Sequence, residues 1–142
     1  MKSLSQVIIM ARKINITGNM KLQDYETFGA NEIKTVPFNK TATLDDEQLE
    51  ELLEVIEGVG GEVRGELIIN AQLLSANRIR VLIDIWLYEG TSESTSDLDG
   101  ERHSSFIVRP NQTVSKTYMV YNTAEGDDDF VRVVFTCKNL AA

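Results

Sequence analysis

Cysteine, histidine and proline are scarce in this chain of 142 residues, which contains one cysteine, one histidine and two prolines. A single cysteine cannot form an intrachain disulfide, and one histidine with one cysteine cannot supply the three or four ligands of a zinc site. Cys137 ends the alternating run Val131, Val133, Phe135, Cys137, so we expect it to point inward as a small hydrophobic residue. Stability must therefore come from a hydrophobic core, for which a hydrophobic content of 42% is sufficient.

The scarcity of histidine also argues against nucleophilic catalysis, because a catalytic serine or cysteine needs a neighbouring histidine and an orienting acid. His103 is followed by Ser104 in a predicted strand, where adjacent side chains point to opposite faces, so we expect a structural or exposed histidine. A glycan-active enzyme with two loop carboxylates is a third hypothesis, but these loops lack the apolar pocket that raises the pKa of a catalytic acid. We therefore expect that the protein is not an enzyme.

Long apolar runs are missing as well. The N-terminal run Val7–Ala11 is shorter than the roughly 7–15 residues of a secretory signal, and nothing approaches the ~20 residues of a membrane helix. We expect neither a signal peptide nor a membrane span. A cytoplasmic location is the default, and secretion stays open because a leader could have been removed.

The chain is acidic, because its 22 Asp and Glu and 14 Lys and Arg give a formal net charge of −8. The basic residues are spread along the chain, mostly one per predicted strand, which is typical of solvated strand faces. Binding to nucleic acid or to an anionic membrane needs clustered Lys and Arg, so we expect neither partner. A cationic partner stays open.

Strand periodicity is what the chain has in abundance. Apolar residues alternate along Lys13–Gln23, along Val63–Leu73 and along Ile79–Leu87, and the last two segments form a predicted hairpin around 75–77. Further short strands follow between turn residues in the C-terminal half. This pattern indicates a fold made almost entirely of antiparallel strands.

The resulting fold prediction is an all-β protein, either an antiparallel β-sandwich or an open barrel of about seven to eight strands with one short amphipathic helix. Pro37 cannot donate a backbone hydrogen bond, so it predicts an edge position for the second strand. We expect a single domain over residues 1–142, with 1–12 as a flexible or additional edge segment.

The predicted helix covers residues 43–58. Thr43 is a candidate N-cap followed by acids in the first turn, and Gly58 is a candidate stop. Apolar residues recur between them at helical spacing, namely Leu49, Leu52, Leu53 and Ile56. We expect this helix to lie across an end or an open edge of the sheet.

Acidic residues gather in the loops between the predicted strands. If successive strands reverse direction, the loops at 45–47, 93–101 and 127–129 meet at one end of the sheet, and the loop at 24–32 lies at the other. Converging carboxylates are the ligands that Ca²⁺ prefers. The predicted calcium ligands are Asp97, Asp99, Glu101, Asp127, Asp128 and Asp129, and the alternative is a solvated rim whose acids only increase solubility.

Four aromatic residues are candidates for a partner or ligand surface. Tyr25 and Phe28 lie in the first predicted loop, and Trp86 and Tyr88 lie on the face of a central strand that is not part of the main apolar row. Exposed aromatics anchor protein partners and stack on sugars. The alternative for Trp86 is ordinary packing against a helix or a second sheet.

These observations support two functional hypotheses before any enzymatic one. The first is a non-enzymatic binding or interaction module that uses an acidic loop rim, with Ca²⁺ as its cofactor and a protein or glycan as its partner. The second is a structural subunit of a homo- or hetero-oligomeric assembly, whose self-association or partner covers Leu82, Trp86 and Tyr88 or pairs with the Pro37 edge strand. No motif specific to a known family is present.

Overall fold

The computed structural model describes residues 10–26, 28–122 and 129–142. Eight strands account for most of these residues: β1 (Arg12–Asp24), β2 (Glu32–Leu44), β3 (Leu49–Val59), β4 (Val63–Leu73), β5 (Ile79–Glu89), β6 (Leu98–Val108), β7 (Thr113–Tyr121) and β8 (Phe130–Ala141). Within these ranges, no helix is both long enough and apolar enough to cross a bilayer.

The strands form two antiparallel four-stranded sheets. The terminal sheet has the order β2-β1-β8-β7 and so combines the first and last strands, whereas the central sheet is the consecutive meander β3-β4-β5-β6. The chain crosses between the sheets after β2 and after β6. The strands on either side of each crossing belong to different sheets and do not pair with each other. The predicted all-β antiparallel class and the strand number are confirmed.

One hydrophobic core fills the space between the sheets. It is built from inward-facing alternate residues of both, such as Ile14 and Ile16 of β1 against Leu67 and Ile69 of β4. Aromatic contacts extend the core across the open edge beside β6 and β7, where the ring centroid of Phe135 lies 6.0 Å from those of Phe106 and Tyr118. Cys137 is fully buried, as its place in the alternating run predicts, and burial raises the pKa of its thiol to about 12.

The predicted helix at 43–58 is wrong. Residues 49–59 are strand β3, which pairs with β4 in antiparallel register. The register shifts between Glu51 and Leu53, so Leu52 is the extra residue of a β-bulge, and Leu52 and the following Leu53 both pack on the core. A bulge puts two neighbouring leucines on the same side and so imitates helical spacing. Leu49 and Ile56, assigned to the buried face of that helix, are 55% and 52% exposed.

Helical geometry is confined, in the described part of the chain, to the 3-10 turn Ser75–Asn77 between β4 and β5. The predicted hairpin around this turn is confirmed, and its two strands are the middle strands of the central sheet. Pro37 lies in β2, which is an edge strand of the terminal sheet, as predicted. The strand continues through Pro37 without interruption.

Reassigning β3 changes which loops share an end of the molecule. The loops β1–β2, β3–β4, β5–β6 and β7–β8 meet at one end, here called the acidic end; there the Gly90 backbone N–H donates to the Glu62 carbonyl (3.2 Å) and the Asn122 side chain donates to Glu89. The loop at 45–47 therefore lies opposite the loop at 93–101 and opposite Asp129, whereas Asp24 and Glu32 lie at the same end as these two. The predicted grouping was wrong on both points. Each strand reverses the direction of the chain, so counting β3 as a helix assigned the loops before it to the wrong end.

The opposite end, here called the Arg12 end, is held by a buried polar network. Arg12 Nε donates to Asn139 Oδ1 (2.9 Å) and Arg12 Nη2 donates to Asn111 Oδ1 (3.1 Å). Asn139 Nδ2 donates in turn to the carbonyls of Asn77 (2.7 Å) and Val108 (3.0 Å). One fully buried asparagine thus connects the first and last strands to the β4–β5 turn and to the end of β6.

Replacing Asn139 with alanine should therefore lower the free energy of unfolding by about 2–3 kcal/mol, because the Val108 carbonyl and the Arg12 guanidinium would lose a buried hydrogen-bond partner. Urea denaturation at 25 °C measures this loss. Asn19→Ala, on the solvent face of β1, is the matched control and should change stability by less than about 0.5 kcal/mol. Equal effects of the two substitutions would show that the network does not stabilise the fold.

Candidate metal centre at the acidic end

Asp24 is the last residue of β1 and occupies an inward-facing position. It follows the buried row Ile14, Ile16, Met20 and Leu22, and its register partner on β2 is Glu32. Only 1% of its surface is exposed. The strand pairing therefore forces a carboxylate to the rim of the hydrophobic core.

Three carboxylates converge at this point. Oxygens of Asp24, Glu26 and Glu32 lie within 4.8 Å of one another. Gly60, in the β3–β4 turn, leaves the space for them: its φ is +68°, and a Cβ there would lie 2.0 Å from Asp24 Oδ2 and 2.5 Å from Glu32 Oε2. The turn backbone thus forms one wall of the acidic cluster.

Asp129 brings the β7–β8 loop to the same place. Its Oδ1 accepts a hydrogen bond from the Tyr25 backbone N–H (2.8 Å), and its own carbonyl accepts one from the Asn122 backbone N–H (3.1 Å). The side chain is buried. Asp129 therefore fixes the first residue after β1 and adds a fourth acid beside Asp24.

The electrostatics of Asp24 are unfavourable to its charged form. Burial is the largest cause that raises its pKa, followed by the negative charges of Asp129, Glu26, Glu62 and Glu32, and together they raise it to about 7. Asp24 Oδ2 accepts no hydrogen bond from any described residue. A buried carboxylate oxygen without a donor is uncommon in folded proteins, so this environment favours either protonation of Asp24 or a cation beside it.

The donor set suits a hard divalent cation. Ca²⁺ takes six to eight oxygen ligands at about 2.3–2.6 Å, from carboxylates, backbone carbonyls and water. Oxygens spaced up to 4.8 Å apart fit around such an ion, because two ligands on opposite sides of it are separated by about twice that bond length. Three carboxylates offer up to six oxygens, and the buried Asp24 Oδ2 accepts no hydrogen bond from any described residue.

The sequence-predicted calcium ligands do not converge in the described residues. Asp97 is exposed in the β5–β6 loop, where its carbonyl accepts a hydrogen bond from the Glu89 N–H (3.2 Å). Asp99 is the extra residue of a bulge in β6, and the Glu101 carboxylate contacts His103 Nε2 (2.8 Å) on the solvent face. Asp127 and Asp128 lie outside the described residues. Of the four that the structure describes, Asp129 is the one that joins the acidic cluster.

A second acidic group contains Asp45, Asp46 and Glu50 at the Arg12 end. Its two aspartates are exposed, and Asp46 Oδ1 already accepts the Gln48 backbone N–H (2.9 Å). This arrangement is a local turn with solvated carboxylates. It lacks the buried, donor-free oxygen that distinguishes Asp24.

His103 lies between two acids on the solvent face of the central sheet. Its Nδ1 is 2.6 Å from Asp84 Oδ1 and its Nε2 is 2.8 Å from Glu101 Oε1, while its ring meets Trp86 edge-on at 5.6 Å. Hydrogen bonds first to Asp84 and then to Glu101 raise the pKa of the imidazole. The exposed histidine expected from sequence is confirmed. Its hydrogen-bond partners are Asp84, directly opposite on β5, and Glu101, two residues earlier on β6. The adjacent Ser104 is not a partner.

The four candidate aromatic residues occupy two separate surfaces. Tyr25 and Phe28 lie in the β1–β2 loop beside the acidic cluster, and Phe28 is 92% exposed. Trp86 and Tyr88 lie on the solvent face of β5, where the Arg64 guanidinium sits 4.3 Å from the Tyr88 ring centroid. Trp86 is therefore outside the core, and no described residue range forms a layer over it.

Comparison with known proteins assigns no function to this site. No protein-family model matches the chain, and no curated protein matches it in sequence at a significant level. The site must be interpreted from its own geometry.

Part of this centre could have been found from the sequence. The alternation that buries Ile14 to Leu22 places Asp24 inward by parity alone, and an acid at an inward position is the anomaly that marks a site. Glu32 and Asp129 could not be added without the strand register, because Glu32 begins β2 and Asp129 directly precedes β8.

The shifted pKa of Asp24 gives the stability of the protein a specific pH dependence. A folded-state pKa of about 7 lies above the unfolded value of 3.8, so the folded state binds a proton more tightly and stability should fall as pH rises from about 4 to 7. The loss should be on the order of 2–4 kcal/mol in the absence of metal. Denaturation in EDTA at several pH values measures it.

Asp24→Asn should remove most of this slope and should raise stability at pH 8, because the amide cannot ionise among the surrounding acids. Asp97→Asn changes the net charge equally at an exposed position and should keep the wild-type slope. If both variants behave like the wild type, Asp24 is not the titrating group.

His103 can be tested without ambiguity because it is the only histidine in the chain. Its imidazole NMR signals should titrate with a pKa above the ordinary value of 6.5, and Asp84→Asn should lower that pKa because it removes the principal hydrogen-bond acceptor. Ser105→Ala, two residues away on the same face, should leave the titration unchanged. An unshifted pKa in the wild type would contradict the bridged arrangement.

Proposed function

We propose that this protein is a non-enzymatic binding module with a β-sandwich fold, whose acidic end binds Ca²⁺ through Asp24, Glu26 and Glu32. The observation that carries this proposal is the buried Asp24 Oδ2, which points into a cluster of carboxylates and has no hydrogen-bond donor among the described residues. The residues differ from the six predicted from the loop pattern, although Asp129 is shared as a positioning acid.

Support for a divalent ion comes from the charges around Asp24. Glu26, Glu32, Glu62 and Asp129 all raise the pKa of this one carboxyl group, and no described cation pairs with it. A divalent cation at the cluster would turn each of these repulsive interactions into an attractive one. Calcium suits the site better than magnesium, because Mg²⁺ requires near-ideal octahedral geometry and keeps several of its waters.

The cation would act on the β1–β2 loop. Glu26 lies inside this loop, while Asp24 and Glu32 end the strands on either side, so a bound ion would tie the loop to its own base. Phe28, at the loop tip, is then the surface available for a protein or glycan partner. We infer that Ca²⁺ orders the partner-binding loop instead of contacting the partner directly.

Calcium at about a hundredfold its dissociation constant should add roughly 2.7 kcal/mol to stability, equivalent to a rise of about 5–10 °C in the melting temperature. Thermal unfolding in EDTA, in Ca²⁺ and in Mg²⁺ at pH 8 measures the effect, and the Mg²⁺ shift should be smaller. At pH 6 the calcium shift should shrink, because a proton competes for Asp24.

Asp24→Asn should abolish the calcium shift, whereas Asp97→Asn and Asp46→Asn should retain it. These two controls represent the ligand predicted from sequence and the exposed acidic group at the opposite end. If Asp97→Asn abolishes the shift and Asp24→Asn retains it, the metal centre is the sequence-predicted one. No calcium shift in the wild type would contradict the proposal.

A further inference from the structure

The two sheets carry opposite charge. The strands of the terminal sheet contain eight Lys and Arg and two Asp and Glu, whereas those of the central sheet contain three Lys and Arg and nine Asp and Glu. Their formal charges are therefore +6 and −6. In a chain whose net charge is −8, the basic residues that are scattered in sequence are concentrated in one layer of the fold. The molecule thus has a charge dipole across its thickness.

The outer face of the terminal sheet contains no acid among its described residues. Its strand acids, Asp24 and Glu32, pair with each other on the inner side. The register places four cations on the outer face: Lys13, Lys21, Arg132 and Lys138. Most other positions there are Thr, Ser, Asn or Gln. This surface is mostly polar, and its strand residues carry positive charge without an acid.

Two of these cations directly oppose each other. Lys21 of β1 is the register partner of Arg132 of β8, and neither lies within ion-pair distance of a described carboxylate. Like charges at directly opposed positions on one face of a sheet are destabilising. An external carboxylate between them would remove this cost, so the pair marks where an anionic surface would bind.

The outer face of the central sheet carries the opposite charge. Acids exceed Lys and Arg there: Glu51, Glu54, Glu66, Asp84 and Glu101 against Arg64 and Arg80. Apolar side chains occupy the space between them, namely Ile56, Ile68, Leu82, Trp86 and Tyr88. These side chains are at least partly exposed. Acidic and apolar side chains are thus interspersed on this face, which offers both negative charge and apolar area to a partner.

We propose that copies of this chain stack head to tail, with the outer face of the terminal sheet of one copy on the outer face of the central sheet of the next. Four strands of about 11 residues give each face roughly 700 Å², close to the ~800 Å² per partner of a standard interface. The contact joins two different surfaces, so it is heterologous. Repetition therefore builds a ring or a filament rather than a closed two-fold dimer.

A second copy fits this face better than a polyanion does. The net charge of −8 repels a nucleic acid or a sulfated glycan at long range, whereas two copies offer complementary faces at contact distance. At 0.1 M ionic strength the Debye length is about 10 Å, which screens the repulsion between whole molecules more than the attraction between facing charges. Assembly is therefore favoured at moderate salt.

Sedimentation velocity over a concentration series in 100 mM NaCl and EDTA tests the proposal. The average mass should rise above the 15.9 kDa of the monomer as concentration rises. Because the contact is largely electrostatic, the association constant should fall at least about tenfold in 1 M NaCl. A monomer at every concentration would overturn the proposal.

Charge reversal locates the contact. The Lys21→Glu and Arg132→Glu double variant should be monomeric, as should Glu51→Lys with Glu54→Lys on the opposite sheet. The matched control is Lys40→Glu with Arg109→Glu, which changes the net charge as much as the first variant at exposed positions off both outer faces. The control should associate like the wild type. Association that survives both face variants would overturn the proposal.

Mixing the two face variants distinguishes head-to-tail from symmetric contacts. The first variant retains an acidic central sheet and the second retains a basic terminal sheet, so the mixture should associate although each component alone does not. Failure to associate in the mixture, with both variants folded by circular dichroism, would overturn the stacking geometry. Retention of a monomeric wild type on a sulfated-dextran column, lost in the Lys21→Glu and Arg132→Glu variant, would assign the face to a polyanion instead.

This assembly does not depend on the metal centre. The acids of that centre lie at the strand ends, whereas the stacking charges lie on the outer faces, and the sedimentation experiment is carried out in EDTA. A calcium-insensitive protein that still assembles would contradict only the proposed function. A monomer that is stabilised by calcium would contradict only the assembly.

Discussion

Backbone pairing between β1 and β8 is the constraint on which the rest of the structure depends. It joins the two ends of the described chain over twelve register positions, from Arg12 opposite Ala141 to Gln23 opposite Phe130. Without it the terminal sheet would be two separate hairpins, which bury too little apolar surface to be stable alone. The meander of the central sheet forms from neighbours in sequence, whereas this pairing must close a loop of more than a hundred residues. It is therefore the step that contact order predicts to be slow.

The same pairing determines the electrostatics at both ends. At one end it brings Asp129 beside Asp24, which places a fourth acid against a carboxylate already buried by the register with β2. At the other it places Asn139 against Arg12, so that a buried cation is surrounded by carbonyl and amide oxygens. Among the described residues, the buried polar side chains of the Arg12 end all have hydrogen-bond partners, whereas Asp24 Oδ2 at the acidic end has no donor. The ionised form of Asp24 is therefore unfavourable unless a cation is nearby.

Strands with clean alternation were predictable from sequence, as Val63–Leu73 and Ile79–Glu89 demonstrate, because one buried face imposes a period of two. Strand β3 was not, since a single bulge at Leu52 makes its apolar residues imitate a helix. That one error also moved the loop at 45–47 to the wrong end and so separated the true neighbours of Asp24. The net charge of each sheet could not be predicted either, because residues such as Lys21 and Arg132 are far apart in sequence and become neighbours only through the strand register. Sequence therefore predicted the class of the fold, while long-range pairing decided the site.

Folding stability alone does not account for the charges in two places. An apolar residue at position 24 would continue the buried row of β1 at lower cost than a carboxylate among acids, and a neutral residue opposite Arg132 would avoid like-charge repulsion on the face of β1 and β8. Both arrangements are unfavourable in the isolated chain, and both become favourable when an opposite charge is supplied from outside, a cation in the first case and an acidic surface in the second. Local conflicts of this kind are typical of binding sites, since the energy lost in folding is regained in the complex. Because the two conflicts lie on different surfaces and require charges of opposite sign, the cation binding and the stacking that we propose are separate events.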